Sequence, residues 1–92
     1  MSSVNIQTFA NIRNIIGKKQ FQIQAQTIQD LLYQLFKKYG EILKSELLDA
    51  EGNIKLNYHI IVNGRNINLL DGLETELKEG DTVVIIPAIA GG

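Results

Sequence analysis

A single amphipathic stripe limits this chain to very few folds. Ile28, Leu31, Leu32, Leu35, Phe36 and Tyr39 recur at i, i+3, i+4, i+7, i+8 and i+11, after a Thr27 that can cap a helix start and before a Gly40 that stops it. No second long amphipathic helix is present. With 92 residues and no Cys, neither a disulfide framework nor a thiolate metal site can hold the chain, so an apolar core must do so alone. The stripe must therefore pack on strands, the only other apolar surface available.

Val4 to Phe9 and Gln20 to Ala25 alternate apolar with polar residues, a period of two that reads as half-buried strands. Between them, Ile12, Ile15 and Ile16 take a helical spacing closed by Gly17, one turn of helix. A short second helix is expected over Glu41 to Leu48, then a turn over Asp49 to Asn53. Tyr58 to Val62 runs into Asn63-Gly64, the strongest two-residue hairpin signal, with a short return through Asn66 to Asn68. Leu69 to Leu77 reads as a loop anchored by Leu70, Leu73 and Leu77. Thr82 to Ile86 is the last strand, ended by Pro87, which has no N–H to give a ladder.

Strand, strand, helix and then further strands predict an α+β, β-grasp fold: a mixed sheet with one main helix across one face and the last strand beside the first. The expected organisation is one domain over 1–92, with 87–92 as a C-terminal tail. One feature does not fit a sheet with a single dry face. Ile60 to Val62 and Val83 to Ile86 are apolar on both faces, so the surplus either lies under loops or forms an exposed patch of the kind that meets a partner.

Several function classes drop out. Nine Lys and Arg against ten Asp and Glu leave a net charge of −1, so no basic field points to nucleic acid. Charge is polarised nonetheless: Asp71, Glu74, Glu76, Glu79 and Asp81 stand against Lys78 alone, while Arg13, Lys18 and Lys19 form a small basic group. The acidic run reads as a solvated loop, or as a docking face for a basic partner. His59 is the sole histidine, which excludes a two-His metal site, and no metal ligands or bound cofactor are expected. Gly17-Lys18-Lys19 lacks the rest of a phosphate-binding loop. Catalysis by this chain alone is not expected. The first residues carry no signal-peptide pattern, and the longest apolar run, Val83 to Ala90, is broken by Pro87, so the expectation is a cytoplasmic protein that spans no membrane.

The end of the sequence carries the one chemical handle. Gly91-Gly92 forms a ribbon without Cβ atoms, able to thread a narrow channel. An α-carboxyl with a reference pKa of about 3.3–3.7 is ionised at neutral pH and can attack an activated phosphate. A frayed, inert tail is the plainer alternative.

Four segments together resemble a known family: Phe9 to Lys18 (FANIRNIIGK), Ile61 to Ile67 (IVNGRNI), Leu70 to Asp81 (LDGLETELKEGD) and Ile86 to Gly92 (IPAIAGG). In this order, they resemble the small subunit of molybdopterin synthase and its relatives, the ubiquitin-like sulfur carriers and small archaeal modifier proteins. The resemblance implies a β-grasp fold and a C-terminal glycine, here Gly92, that a ubiquitin-activating-like adenylyltransferase adenylates with ATP and magnesium. Replacement of oxygen by sulfur gives a thiocarboxylate, which enters the molybdopterin synthase large subunit and donates sulfur. Gly91 would let the tail reach, and Pro87, Ala88, Ile89 and Ala90 would be held by the partner. Members often carry an acid where this chain has Asn14 and two prolines where it has Pro87-Ala88. Passing the adenylated glycine to lysines of target proteins is a second reading, and a plain protein-interaction domain a third. Sulfur delivery for thiamine or transfer RNA is a variant of the first.

Overall fold

The computed structural model describes residues 2–88. The chain forms β1 (Ser2–Thr8), α1 (Ala10–Ile16), β2 (Gln20–Ala25), α2 (Ile28–Tyr39), α3 (Glu41–Leu47), β3 (Tyr58–Val62), β4 (Arg65–Asn66) and β5 (Thr82–Pro87). Alternation sets the faces of the first hairpin. Val4 lies opposite Ile23 and Ile6 opposite Phe21, so the apolar sets of both strands share one side while Asn5, Gln7, Gln22 and Gln24 take the other.

The sheet order is β2-β1-β5-β3-β4, with β1 and β5 parallel and the other pairs antiparallel. This is the mixed sheet expected of a β-grasp, with the last strand beside the first. The stripe of α2 covers one face, burying Ile28, Leu31, Leu32 and Leu35 against Val4, Ile6, Ile60, Val83 and Ile85. Thr27 caps it, its hydroxyl accepting the Asp30 N–H at 3.1 Å. At Gly40 the backbone turns to a φ of 79°, which a residue with a Cβ disfavours, and α3 starts at once. Leu43 and Leu47 then join the core, with Ile12 and Ile16 of α1.

Three of the boundaries that differ from the sequence expectation do so for a visible local reason. Phe9 does not close β1 but leads into α1, with φ −140° and ψ 160°. The last core-facing position belongs to Thr8, whose hydroxyl donates to the Lys18 carbonyl at 2.6 Å and so can be buried. The return after Asn63-Gly64 pairs only over Arg65–Asn66. There the Asn66 side chain accepts the Asn68 N–H at 2.9 Å and turns the chain into a 3-10 segment, Ile67–Leu69, that buries Ile67. β5 runs through Pro87 instead of ending before it. The 69–77 segment holds a second 3-10 turn, Gly72–Glu74, and is sewn to the start of α2: Ile28 N–H donates to Thr75 C=O at 3.1 Å and Leu77 N–H to Gln26 C=O at 2.8 Å.

A polar tie joins the helical layer to the sheet. The Tyr58 hydroxyl, on a residue only 5% exposed, donates to Glu46 Oε2 of α3. Burial first, then the hydrogen bond and negative charge of Glu46, push the Tyr58 phenol up to about 12, with the Asn11 side chain pulling the other way. An unfolded chain ionises this phenol near pH 10. The stability it contributes is therefore complete below pH 10 and is lost as pH rises through about 12.

Two outcomes follow from this packing. Leu35→Ala leaves a cavity under α2 costing about 2–5 kcal/mol, and thermal unfolding should show Tm lowered by about 10 °C or more; an unchanged Tm would refute the core assignment. Tyrosinate absorbance of the wild type minus that of Tyr58→Phe should have its midpoint near pH 12. A midpoint near 10 would show that the tie to Glu46 does not form.

Candidate functional site

Of the tail residues singled out in the sequence, Pro87 and Ala88 are described; Ile89, Ala90, Gly91 and Gly92 lie outside the described residues. The root of the tail is the end of a central strand. Ala88 N–H donates to Asn57 C=O at 2.7 Å, so residues 57 and 88 form a hydrogen-bonded antiparallel pair and Pro87 faces Tyr58 in the intervening, unbonded one. The nitrogen of Pro87 thus points away from β3, toward β1. The parallel ladder to β1 stops at the Thr8–Ile85 pair, so no carbonyl there awaits a donor. A proline is tolerated in the middle of the sheet because its missing N–H falls past the neighbour's end.

Because β5 is parallel to β1, its exit lies at the end of the sheet where β1 finishes and β2 begins. Thr8 N–H bonds Lys19 C=O there at 3.0 Å, which sets exposed Lys18 and Lys19 at the same end as the tail root. Acidic side chains gather at the other end. Glu79 accepts the Ser3 N–H at 2.9 Å, and the main chain of Glu76 pairs with that of Thr27 at the start of α2. Asp81 is structural: its carboxylate accepts from Asn63 Nδ2 at 2.9 Å and from the Lys78 N–H at 2.8 Å. Part of the acidic run is therefore occupied within the fold, and that run and the Lys18-Lys19 pair lie at opposite ends of the sheet.

The surplus apolar residues have a definite place. Ile61 lies opposite Val84, and His59 opposite Ile86, on the sheet face turned away from the helices. The apolar side chains of Ile61, Val84 and Ile86 are only partly buried and do not join the core cluster. They form a patch on β3 and on β5, the strand that carries the tail, bordered by Asn5 and Gln7 of β1. His59 sits at its rim, its Nδ1 3.1 Å from Asn66 Nδ2. A concavity of about 360 Å³ on the other side of His59 is lined by Lys55, Asn66 and Leu73 and by no carboxylate. Among the described residues, no three His, Asp or Glu converge as metal ligands, and no helix is long and apolar enough to cross a membrane. What this region can do is present a strand end and an apolar face to another protein. The sequence signalled the patch through strands apolar on both faces. It gave no sign that Tyr58 lies against the tail root.

The ThiS family model matches residues 6–92. The sulfur carrier protein CysO of Mycobacterium tuberculosis is 32% identical over 78 residues, 83% of this chain and 83% of that one. The small archaeal modifier protein 1 of Methanosarcina acetivorans has a solved structure that superposes with a TM-score of 0.83 at 33% identity, covering 100% of this chain and 98% of that one. CysO of Amycolatopsis orientalis, solved in complex with BexX, superposes with a TM-score of 0.81 at 28% identity over 97% of this chain and 99% of that chain. Relatives of this chain thus include carriers of sulfur, protein modifiers and a member of a two-protein complex. With its β-grasp sheet and its match over nearly the whole length, the chain belongs to the ThiS family of ubiquitin-like sulfur carriers and small archaeal modifiers.

Proposed function

We propose that this chain is a sulfur carrier whose reacting group is the C-terminal carboxylate of Gly92, and that it serves molybdopterin synthesis as the small subunit of a molybdopterin synthase. The observation that carries the reading is family membership over residues 6–92, a match that takes in Gly91-Gly92. An adenylyltransferase of the ubiquitin-activating type would bind ATP and magnesium; this chain would hold neither. A Gly92 carboxylate oxygen attacks the α-phosphorus, the bond to pyrophosphate breaks, and an acyl adenylate forms. Hydrosulfide from a sulfur donor then attacks the acyl carbon, the bond to AMP breaks, and loss of the proton leaves a thiocarboxylate, which the large subunit receives for transfer to the pterin precursor.

The body of the domain supplies recognition. The Ile61, Val84 and Ile86 patch would bury apolar surface against the activating enzyme and then the large subunit, while the Ala88 bond to Asn57 fixes where the tail leaves. Pro87 narrows the backbone choices of the first tail residue. Ile89, Ala90 and Gly91 would lie in the partner's channel, where glycine lets the main chain approach closely.

Conjugation of Gly92 to lysines of target proteins is the second reading, favoured by the likeness to the Methanosarcina modifier. It shares the adenylation step and differs only in the nucleophile that displaces AMP.

Adding one residue after Gly92 should abolish ATP-dependent adenylation, read as pyrophosphate exchange, with Tm unchanged; full activity would sink the assignment of Gly92. Ile61→Asp should slow the same exchange by about tenfold or more through weakened docking, again without loss of fold. An unaffected rate would show that the activating enzyme does not use this face.

A further inference from the structure

The sheet has a second feature that neither the tail nor the outer apolar face uses. β2 is an outermost strand. In an antiparallel pair, successive residues alternate between facing the neighbour with both main-chain groups and facing away with both. Thr8 N–H donates to Lys19 C=O, which sets Lys19, Phe21, Ile23 and Ala25 toward β1 and the main-chain groups of Gln20, Gln22 and Gln24 outward. Gln34 of α2 closes one end of this edge, its Nε2 donating to Gln24 C=O at 2.7 Å. Among the described residues, nothing in the fold bonds the main-chain N–H and C=O groups of Gln20 and Gln22.

Beside this open edge lies a groove of about 230 Å³ between β2 and α2. Its floor is apolar, made by Phe21, Ile23, Leu35 and Tyr39. Its rim is positive. The Lys18 ammonium lies 6.0 Å from the centre of the Phe21 ring and the Lys38 ammonium 5.6 Å from that of Tyr39, so both stems are laid along aromatic surface with their charges at the groove. Lys19 and Lys37 are exposed next to them in the chain, and no carboxylate lines the groove.

We propose that this edge and groove bind an extended segment of a partner protein in which apolar residues adjoin a run of acidic residues. An added strand would satisfy the free groups of Gln20 and Gln22 with main-chain bonds. Its alternate side chains would enter the apolar groove, and its carboxylates would meet Lys18 and Lys38. Edges are often merely guarded by lysines against unwanted pairing. Here the lysines border an apolar trough instead of closing the edge, and the one closing contact, from Gln34, leaves two residues open. The site lies on β2, apart from β3 and β5, so it could be filled while the tail is engaged elsewhere.

The test is a titration of the ¹⁵N-labelled full chain with an acetylated peptide of alternating Val and Ile followed by three glutamates, beside a control peptide in which a central Val is Pro. The expected result is amide shifts confined to residues 18–24 and 34–39, with slowed solvent exchange of the Gln20 and Gln22 N–H groups. The double variant Lys18→Glu/Lys38→Glu changes two exposed side chains; at an unchanged Tm it should bind about tenfold or more weakly. The proposal is overturned by no shifts at millimolar peptide, by shifts centred on Ile61 and Val84, or by equal binding of the proline peptide. Peptide-free shifts of β2 that grow with protein concentration would also overturn it, by making a second copy the occupant.

Discussion

Everything in this fold depends on one contact, the apolar stripe of α2 laid across one face of the sheet. The helix cannot stay ordered in water by propensity alone at this length, and the strands cannot leave Val4, Ile6, Ile60, Val83 and Ile85 wet. Each supplies what the other lacks, and the buried set is nearly all aliphatic. Since α1 and α3 join α2 on the same side, no helix among the described residues covers the other face. The patch around Ile61 and Val84 is thus a consequence of having one helical layer, and it lies on the two strands that lead to and flank the tail.

The tail inherits its position from topology. A strand in the centre of a sheet is the most rigid place from which a chain can leave, and β5 is held on both sides until Thr8 ends its neighbour. Past that point β3 continues to bond it, through the Ala88 N–H to Asn57 C=O. Tyr58 secures that stretch of β3 from beneath by its bond to Glu46. A group carried on such a stem could be presented to different partners without any change in the folded body, which suits a family whose members include both sulfur carriers and protein modifiers.

Much of this was legible because it repeats. The 3.6-residue stripe marks α2, and the period of two marks the first hairpin, so the layer, the sheet and the β-grasp order could be read directly. What failed were features that depend on a few local bonds. At Phe9 a strand pattern and a helix start overlap, and only the burial of Thr8 through its bond to Lys18 shows where one ends. At Asn66 a single side chain diverts the return strand into a 3-10 turn. Pro87 looked like a stop because its cost depends on what lies across the strand, and that is a fact of register. The open edge of β2 was invisible for the same reason: strand order decides which strand is outermost.

The most direct measurement is intact mass spectrometry of the chain isolated from its native host under conditions that protect thioacids, with fragmentation of the C-terminus. A single oxygen-to-sulfur mass change located on Gly92 is the expected result. A terminus found only as carboxylate, in a host whose proteins also carry no Gly-Gly remnant on lysine, would contradict an activated tail and leave the domain as a binding module.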